Sequence, residues 1–216
     1  MIGTSRQACS DAPEGVELIC ADASDPTRVG DVFAQIEDRH GPCRVLVNNA
    51  GIQLEKSVTE TSVEEWNTVL AVNLTGPFLY AREAIPRMKA NGGGVIVNIG
   101  STDSFVADPG LAAYVASKTG LLGLTRSIAV DYGADNIRCV CVCPTYVDTE
   151  IAEAYYAAQD DPEAARARAA ARHPLGRVAA PAEIADVVAW ACSDDARFVT
   201  GQAVVVDGGA LASFGV

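Results

Sequence analysis

Histidine is scarce in this chain: the 216 residues contain 2, His40 and His173. Neither stands in an HExxH or comparable ligand spacing, and no CxxC pair occurs, so the common zinc frames are excluded. The chain has no GxSxG, which excludes a serine hydrolase built on a nucleophile elbow. Positive charge is also short, with 16 Lys and Arg against 28 Asp and Glu, a formal net charge of −12 and a pI near 4.5. Such a surface repels nucleic-acid phosphates and anionic membranes, and neither is expected as a partner. No uncharged apolar run approaches a membrane span. The first residues, MIGTSRQACSDAPEG, hold one Arg and no apolar core of signal-peptide length. A cytoplasmic protein is expected.

What is present is a globular composition, 49% hydrophobic and 20% charged, which at this length predicts one compact domain over residues 1–216. Short β-branched runs, VELIC (16–20), CRVLV (43–47), VIVNI (95–99), IRCVCVC (137–143) and AVVVD (203–207), alternate with helical patterns. The alternation predicts an α/β fold with a parallel sheet covered on both faces. Helices are expected after Pro26, over 62–90 with a bend near Gly76-Pro77, over 111–133 and over 181–192. The insertion-like stretch 150–176 is a candidate lid. Cys139, Cys141 and Cys143 fall on one strand face about 6.6 Å apart, near the outer limit for a disulfide. Buried, reduced thiols are therefore expected for the cysteines. The glycines of NGGG precede a strand and follow a helix, the reverse of a phosphate loop, and read as a helix C-cap and turn.

In AAYVASKTG (112–120), Tyr114 and Lys118 stand four apart, so both can address one point on a helix face. The stripe continues through Leu121, Thr125 and Ile128 and turns Lys118 toward the interior; a snorkelling lysine at the end of a core helix is the alternative. An ammonium 4–5 Å from a phenol at an effective dielectric of 20 supplies about 3–4 kcal/mol. At about 1.4 kcal/mol per unit this brings a tyrosine most of the way from about 10 toward neutrality, as general acid/base work requires.

Other segments accompany the pair in fixed order: NNAG (48–51), VNL (72–74), NIGS (98–101), YVASK (114–118), CPTYVDT (143–149) and TGQAVVVDGG (200–209). Together they resemble the short-chain dehydrogenase/reductase family from about Ala21 to Gly209. The resemblance implies a Rossmann-type doubly wound parallel sheet and an NAD(P)-dependent oxidoreductase that interconverts an alcohol and a ketone or aldehyde. It implies Tyr114 as the group exchanging a proton with the substrate oxygen and Ser101 as its hydrogen-bond partner. Lys118 would hold the nicotinamide ribose and favour the phenolate, and Asn73 would position a water. It places Asp22 and Ala23 at the adenine side, Asn49, Ala50 and Gly51 along the dinucleotide, and Val147 and Thr149 at the carboxamide. Taken singly, Ser101 also reads as a strand-end turn residue, Asn73 as a helix-bend residue and Asp22 as a cap. Thr145 departs from the family, which usually has Gly there; its side chain must fit an ordinary backbone or crowd the nicotinamide.

The family's opening strand, TGxxxGxG turn and helix have no counterpart in this sequence, so the sheet is expected to lack its first strand and helix and the domain to be N-terminally incomplete. MIGTSR reads as the end of the second strand, with Arg6 where NAD-dependent members carry an acid, which favours NADP. Two readings follow: the dehydrogenase, and a catalytically silent Rossmann-type protein serving as an oligomerisation or regulatory partner. Weak NAD(P) binding by residues 1–216 alone, restored by an upstream segment with the glycine loop, is a further expectation. The resemblance also implies a homodimer or homotetramer built on helices 62–90 and 111–133, with the tail 210–216 in the same interface or free. Asp103, Phe105, Tyr146, Tyr155 and Tyr156 are candidates to line the substrate site.

Overall fold

Alternation of side chains along a strand sends successive residues to opposite faces, and a strand apolar at every position must be covered on both. The strand Ile137–Pro144 (β5) is such a case from Cys139 onward, with Cys139, Val140, Cys141, Val142 and Cys143 all fully buried. The computed structural model describes residues 1–6, 12 and 14–213, the side chain of Ile151 excepted. Cys9 and the tail residues 214–216 lie outside the described residues, so the expectations placed on them are not addressed.

The elements run in the expected order. The strand Ile2–Ser5 (β1) is followed by Glu17–Cys20 (β2), the helix Pro26–His40 (α1), Val45–Asn48 (β3), the helices Val63–Leu70 (α2) and Gly76–Ala90 (α3), and Gly94–Ile99 (β4). Next come the helix Ala112–Tyr132 (α4), β5, the helices Glu150–Ala157 (α5), Pro162–Ala171 (α6) and Pro181–Cys192 (α7), and the strand Ala203–Val206 (β6). Four strands pair in parallel in the order β3-β4-β5-β6, with Val45 beside Val95, Val95 beside Arg138 and Cys141 beside Ala203. The strands β1 and β2 form a separate parallel pair. It rests on α1 through Ile2, Ile19, Val32 and Ile36 and touches α3 where the Tyr80 hydroxyl donates to Thr4 Oγ1 at 3.2 Å.

One sheet face carries α1, α3 and α4, whose Val29, Phe33, Leu79, Met88 and Ile128 meet Leu46, Ile96 and Cys139. The other carries α7, with Ile184 and Ala191 on Val95, Val97, Val140 and Val142. This is the doubly wound arrangement. The three alternating cysteines face the α4 side and are buried. All described cysteines are free thiols, but Cys20 at the end of β2 is exposed and Cys43 and Cys192 are half-buried, contrary to the expected burial, because they lie at strand and helix ends.

Local sequence explains the ends of the helices. Asp25 caps α1 by accepting from the backbone N–H groups of Thr27 and Arg28 at 2.9 and 3.2 Å, with Pro26 in the first turn. Ser62 and Glu65 form a reciprocal capping box on α2. At the end of α3 the Gly93 N–H returns to the Met88 carbonyl at 2.9 Å, and Gly92 and Gly93 have φ of 82° and 119°, the predicted C-cap and turn. The bend expected near Gly76-Pro77 is a π-helical segment, Ala71–Thr75, in which the Gly76 N–H reaches back to the Ala71 carbonyl. Pro77 has no N–H to return to the Asn73 carbonyl in α register, and the widened turn places this irregularity at Asn73.

Candidate active site

The carboxyl ends of β3, β4 and β5 converge with the start of α4, and the predicted catalytic residues meet there. Strand β4 ends at Ile99, and Gly100 and Ser101 carry the chain over two sulfurs: a Cβ on Gly100 would lie 2.7 Å from Cys141 Sγ and 2.8 Å from Cys143 Sγ. Glycine is thus required for β4 to pass this close to β5. Ser101 caps a short turn, its Oγ accepting from the Asp103 N–H at 3.1 Å and donating to Asp103 Oδ2 at 3.3 Å.

Lys118 is inside the protein, 4% exposed, as its stripe on α4 predicts. Its Nζ donates to the Ile99 carbonyl at 2.8 Å and sits over the Tyr114 ring, 5.5 Å from the centroid. Burial pushes the ammonium down to about 8, which leaves it protonated at neutral pH. The phenol of Tyr114 behaves differently from the sequence expectation. Burial pushes it up to about 12, with the Ser101 hydroxyl acting downward and the Asp103 carboxylate upward. The cation is turned toward the Ile99 carbonyl and lies over the ring, so desolvation of the phenolate outweighs it.

Asn73 is fully buried and its amide is committed: Oδ1 accepts from the Ile52 N–H at 2.9 Å, and Nδ2 donates to the Ile52 carbonyl at 2.9 Å and to Ser117 Oγ at 3.1 Å. Ser117 in turn donates to the Tyr114 carbonyl at 2.7 Å. The π turn, the loop after β3 and the first turn of α4 are thereby locked together. A Cβ on Gly51 would lie 3.5 Å from Lys118 Nζ and 3.6 Å from Asn73 Oδ1, so this glycine leaves the floor between them open.

Over that floor runs a groove of about 470 Å³ lined by Arg6, Gly51, Ile52, Gln53, Glu55, Ala154 and Tyr155. It joins the end of β1 to the end of β3 and to α5, along the carboxyl edge where open α/β sheets bind nucleotides. Asn49 and Ala50 are exposed at the end of β3. Asp22 is exposed after β2, its Oδ1 accepting from the Ser24 N–H at 2.8 Å and the Ser24 hydroxyl at 2.7 Å, which holds its carboxyl below the usual range with help from Arg6. Ala23 supports the start of α3: a Cβ on Gly76 would lie 3.1 Å from its carbonyl oxygen. Val147 packs against the α7 cluster and bridges Ala179, and the Thr149 hydroxyl caps α5 by accepting from the Ala152 N–H at 3.4 Å. The exposed backbone at Asn49 and Ala50 and the open floor at Gly51 fit the ribose and amide edge of a nicotinamide, while the glycine-rich pyrophosphate turn has no counterpart among the described residues.

Thr145 takes an ordinary backbone conformation, since Asn136 is the one positive-φ non-glycine among the described residues. Its hydroxyl lies 3.3 Å from His173 Nε2, turned into the protein. The stretch 150–176 forms α5 and α6, with Tyr156, Ala165 and Ala169 packed between them. Tyr156 is therefore packing, while Tyr155 lines the groove and Phe105 is exposed. Arg172 donates to Asp108 Oδ2 and to the Tyr146 hydroxyl, each at 2.9 Å, and ties the end of α6 to the loop after Ser101.

Sequence reasoning missed Ser117, the Asp108–Arg172 tie and a buried amide ladder. In the ladder, Asn48 Nδ2 donates to Asn98 Oδ1 at 2.8 Å and Asn98 Nδ2 to Thr125 Oγ1 at 2.9 Å. The available signal was two apolar strands, VLVN and VIVN, each carrying an Asn at the same register.

A family model described as enoyl-(acyl carrier protein) reductase matches residues 4–210. The 2-(R)-hydroxypropyl-CoM dehydrogenase of Xanthobacter autotrophicus is 42% identical over 191 residues, 87% of this chain and 75% of that protein. The ligand-free aldohexose dehydrogenase of Thermoplasma acidophilum matches with a TM-score of 0.95 at 33% identity, over 100% of this chain and 85% of that one. A gluconate 5-dehydrogenase of Burkholderia cenocepacia, in complex with NADP and tartrate, gives 0.86 at 30% identity, over 92% of this chain and 76% of that one. With its residues matched nearly end to end, this chain belongs to the short-chain dehydrogenase/reductase family.

Proposed function

We propose that the protein is an NAD(P)-dependent oxidoreductase interconverting a small alcohol and its ketone or aldehyde. The observation that carries this reading is the convergence of Ser101, Tyr114 and the buried Lys118 beside the open floor at Gly51. The bound nicotinamide supplies the hydride acceptor or donor. The protein's own part is to hold the reacting oxygen and manage one proton. Ser101 gives its hydroxyl hydrogen to that oxygen, and Tyr114, protonated at neutral pH, donates to it in carbonyl reduction. Lys118 keeps a positive charge beside the phenol as its proton leaves. Asn73 fixes Ile52 and Ser117 with its amide, and its backbone carbonyl, which Pro77 deprives of an α-helical partner, takes the relay water. In alcohol oxidation Tyr114 must first lose its proton, so that direction speeds up as pH rises toward the phenol's raised range.

Asp22 and Ala23 flank the adenosine end, Asn49, Ala50 and Gly51 follow the dinucleotide, and Val147 and Thr149 offer backbone to the carboxamide. Arg6, exposed in the groove and electrostatically linked to Asp22, receives the 2′-phosphate and favours NADP. The gluconate 5-dehydrogenase structure in complex with NADP supports a nicotinamide dinucleotide as the cofactor. The relatives named above bear dehydrogenase names, and the silent alternative is not favoured. The test is a spectrophotometric redox assay across small alcohols and ketones at millimolar NADP(H) and NAD(H). Turnover with a lower KM for the phosphorylated cofactor is expected, and absence of turnover with every pair contradicts the reading.

A further inference from the structure

Asp103 is a carboxylate placed where a Ser-Tyr pair has no use for one. It is 8% exposed, and no ion pair reaches it among the described residues, because the neighbouring Arg172 is bound to Asp108 and Tyr146. Its donors are the Ser101 hydroxyl on Oδ2 at 3.3 Å and the Asp108 N–H on Oδ1 at 3.3 Å. Both are long. Ser101 has one hydrogen to give, and in the proposed reaction it goes to the reacting oxygen. Directing it there strips Oδ2 of its donor at the moment substrate shuts the site from water, and a buried carboxylate oxygen left bare is costly. A substrate that brings its own donor, one bond away from the reacting carbon, removes that cost.

We propose that Asp103 binds a hydroxyl group on the carbon adjacent to the reacting one, so that the substrates are neutral vicinal diols and the corresponding α-hydroxy carbonyls. The inference rests on the dehydrogenase reading and narrows it. Charge points the same way. The Asp103 carboxylate, with an oxygen 3.3 Å from Ser101 Oγ, itself disfavours a second carboxylate at the adjacent position. An ammonium is the other donor with suitable chemistry, and the test separates it from the hydroxyl.

The experiment compares kcat/KM of the 216-residue protein for four compounds sharing one secondary alcohol: isopropanol, propylene glycol, isopropanolamine and lactate. The glycol is expected to exceed isopropanol by about tenfold or more, as hydrogen-bonded recognition of a buried group allows, with lactate lowest. Asp103→Ala should bring the ratio of glycol to isopropanol close to one, chiefly through KM for the glycol. Asp103→Asn, of equal size and still an acceptor, should keep part of the preference and serves as the control for folding, checked by thermal melts of both variants. An equal rate for glycol and isopropanol in the wild type, or an unchanged ratio in Asp103→Ala, overturns the inference alone. A preference for isopropanolamine over the glycol overturns the hydroxyl assignment. Failure of the wild type to oxidise any of the four overturns it too; if the wider alcohol and ketone assay also fails, the dehydrogenase reading falls with it.

Discussion

Asp103 and Gly100 stand on either side of Ser101 and show how closely the site is built. Burial and the neighbouring Asp108 raise the Asp103 carboxyl above its ordinary 3.8. A carboxyl raised in the folded state holds more protons folded than unfolded, so stability falls as pH climbs from near 3.8 through the raised value and stays lower above it. Asp103→Asn removes the charge and keeps the acceptor; it should raise the urea midpoint at neutral pH and flatten that part of the pH dependence. A lower midpoint at pH 7 would contradict the unpaired state of this carboxylate. Gly100→Ala tests the opposite wall. Its Cβ would fall 2.7 and 2.8 Å from two buried thiols whose sulfurs already lie 3.6 Å apart, and a loss of about 1–3 kcal/mol is expected from overpacking. Equilibrium unfolding in urea reads it directly, and a neutral result would mean that the β4 and β5 ends can spread.

Among the elements, the turn at the end of α3 separates conformational strain from collision. Gly92 and Gly93 both have positive φ, but a Cβ on Gly92 meets open space while one on Gly93 would lie 2.3 Å from the Asn136 carbonyl oxygen. Gly92→Ala should cost about 1–2 kcal/mol and Gly93→Ala clearly more, compared by denaturant midpoints; equal costs would refute the contact. Removing the α2 cap with Ser62→Ala should cost about 1 kcal/mol. The same elements show what was legible beforehand. Alternating β-branched runs located all the strands of the sheet, and the Tyr114, Lys118, Leu121, Thr125 and Ile128 stripe identified the buried side of α4, because burial leaves a periodic trace. The bend of the π segment was legible at Gly76-Pro77, but its π register was not, since no periodicity in the sequence marks where a turn widens around Asn73. The direction of the Tyr114 shift was also hidden. Sequence gives the spacing of the two charges but neither the depth of the phenol nor the aim of Lys118 at Ile99. The tie between Asp108 and Arg172, 64 residues apart, has no local signature.

At the scale of the whole molecule, two features stand out on the surface. Val63 and Trp66 on α2, Phe78 on α3 and Val130 on α4 are exposed, Val130 at 83% and Val63 at 69%, and a homodimer or homotetramer covering these helices is the expected assembly. Sedimentation at micromolar concentration should show it, and a monomer would refute it. No described helix is long and apolar enough to cross a membrane. The second feature is the groove from Arg6 across Gly51 to Tyr155, which at Gly51 passes close to Lys118 Nζ and so borders the proposed site. The central claim is that Tyr114 handles the proton there. Tyr114→Phe keeps the ring over which Lys118 sits and deletes the hydroxyl, so the most direct measurement is its turnover beside wild type at saturating cofactor, with folding verified by circular dichroism. The account predicts a fall of about 100-fold or more with the fold intact, whereas turnover near the wild-type rate would contradict it.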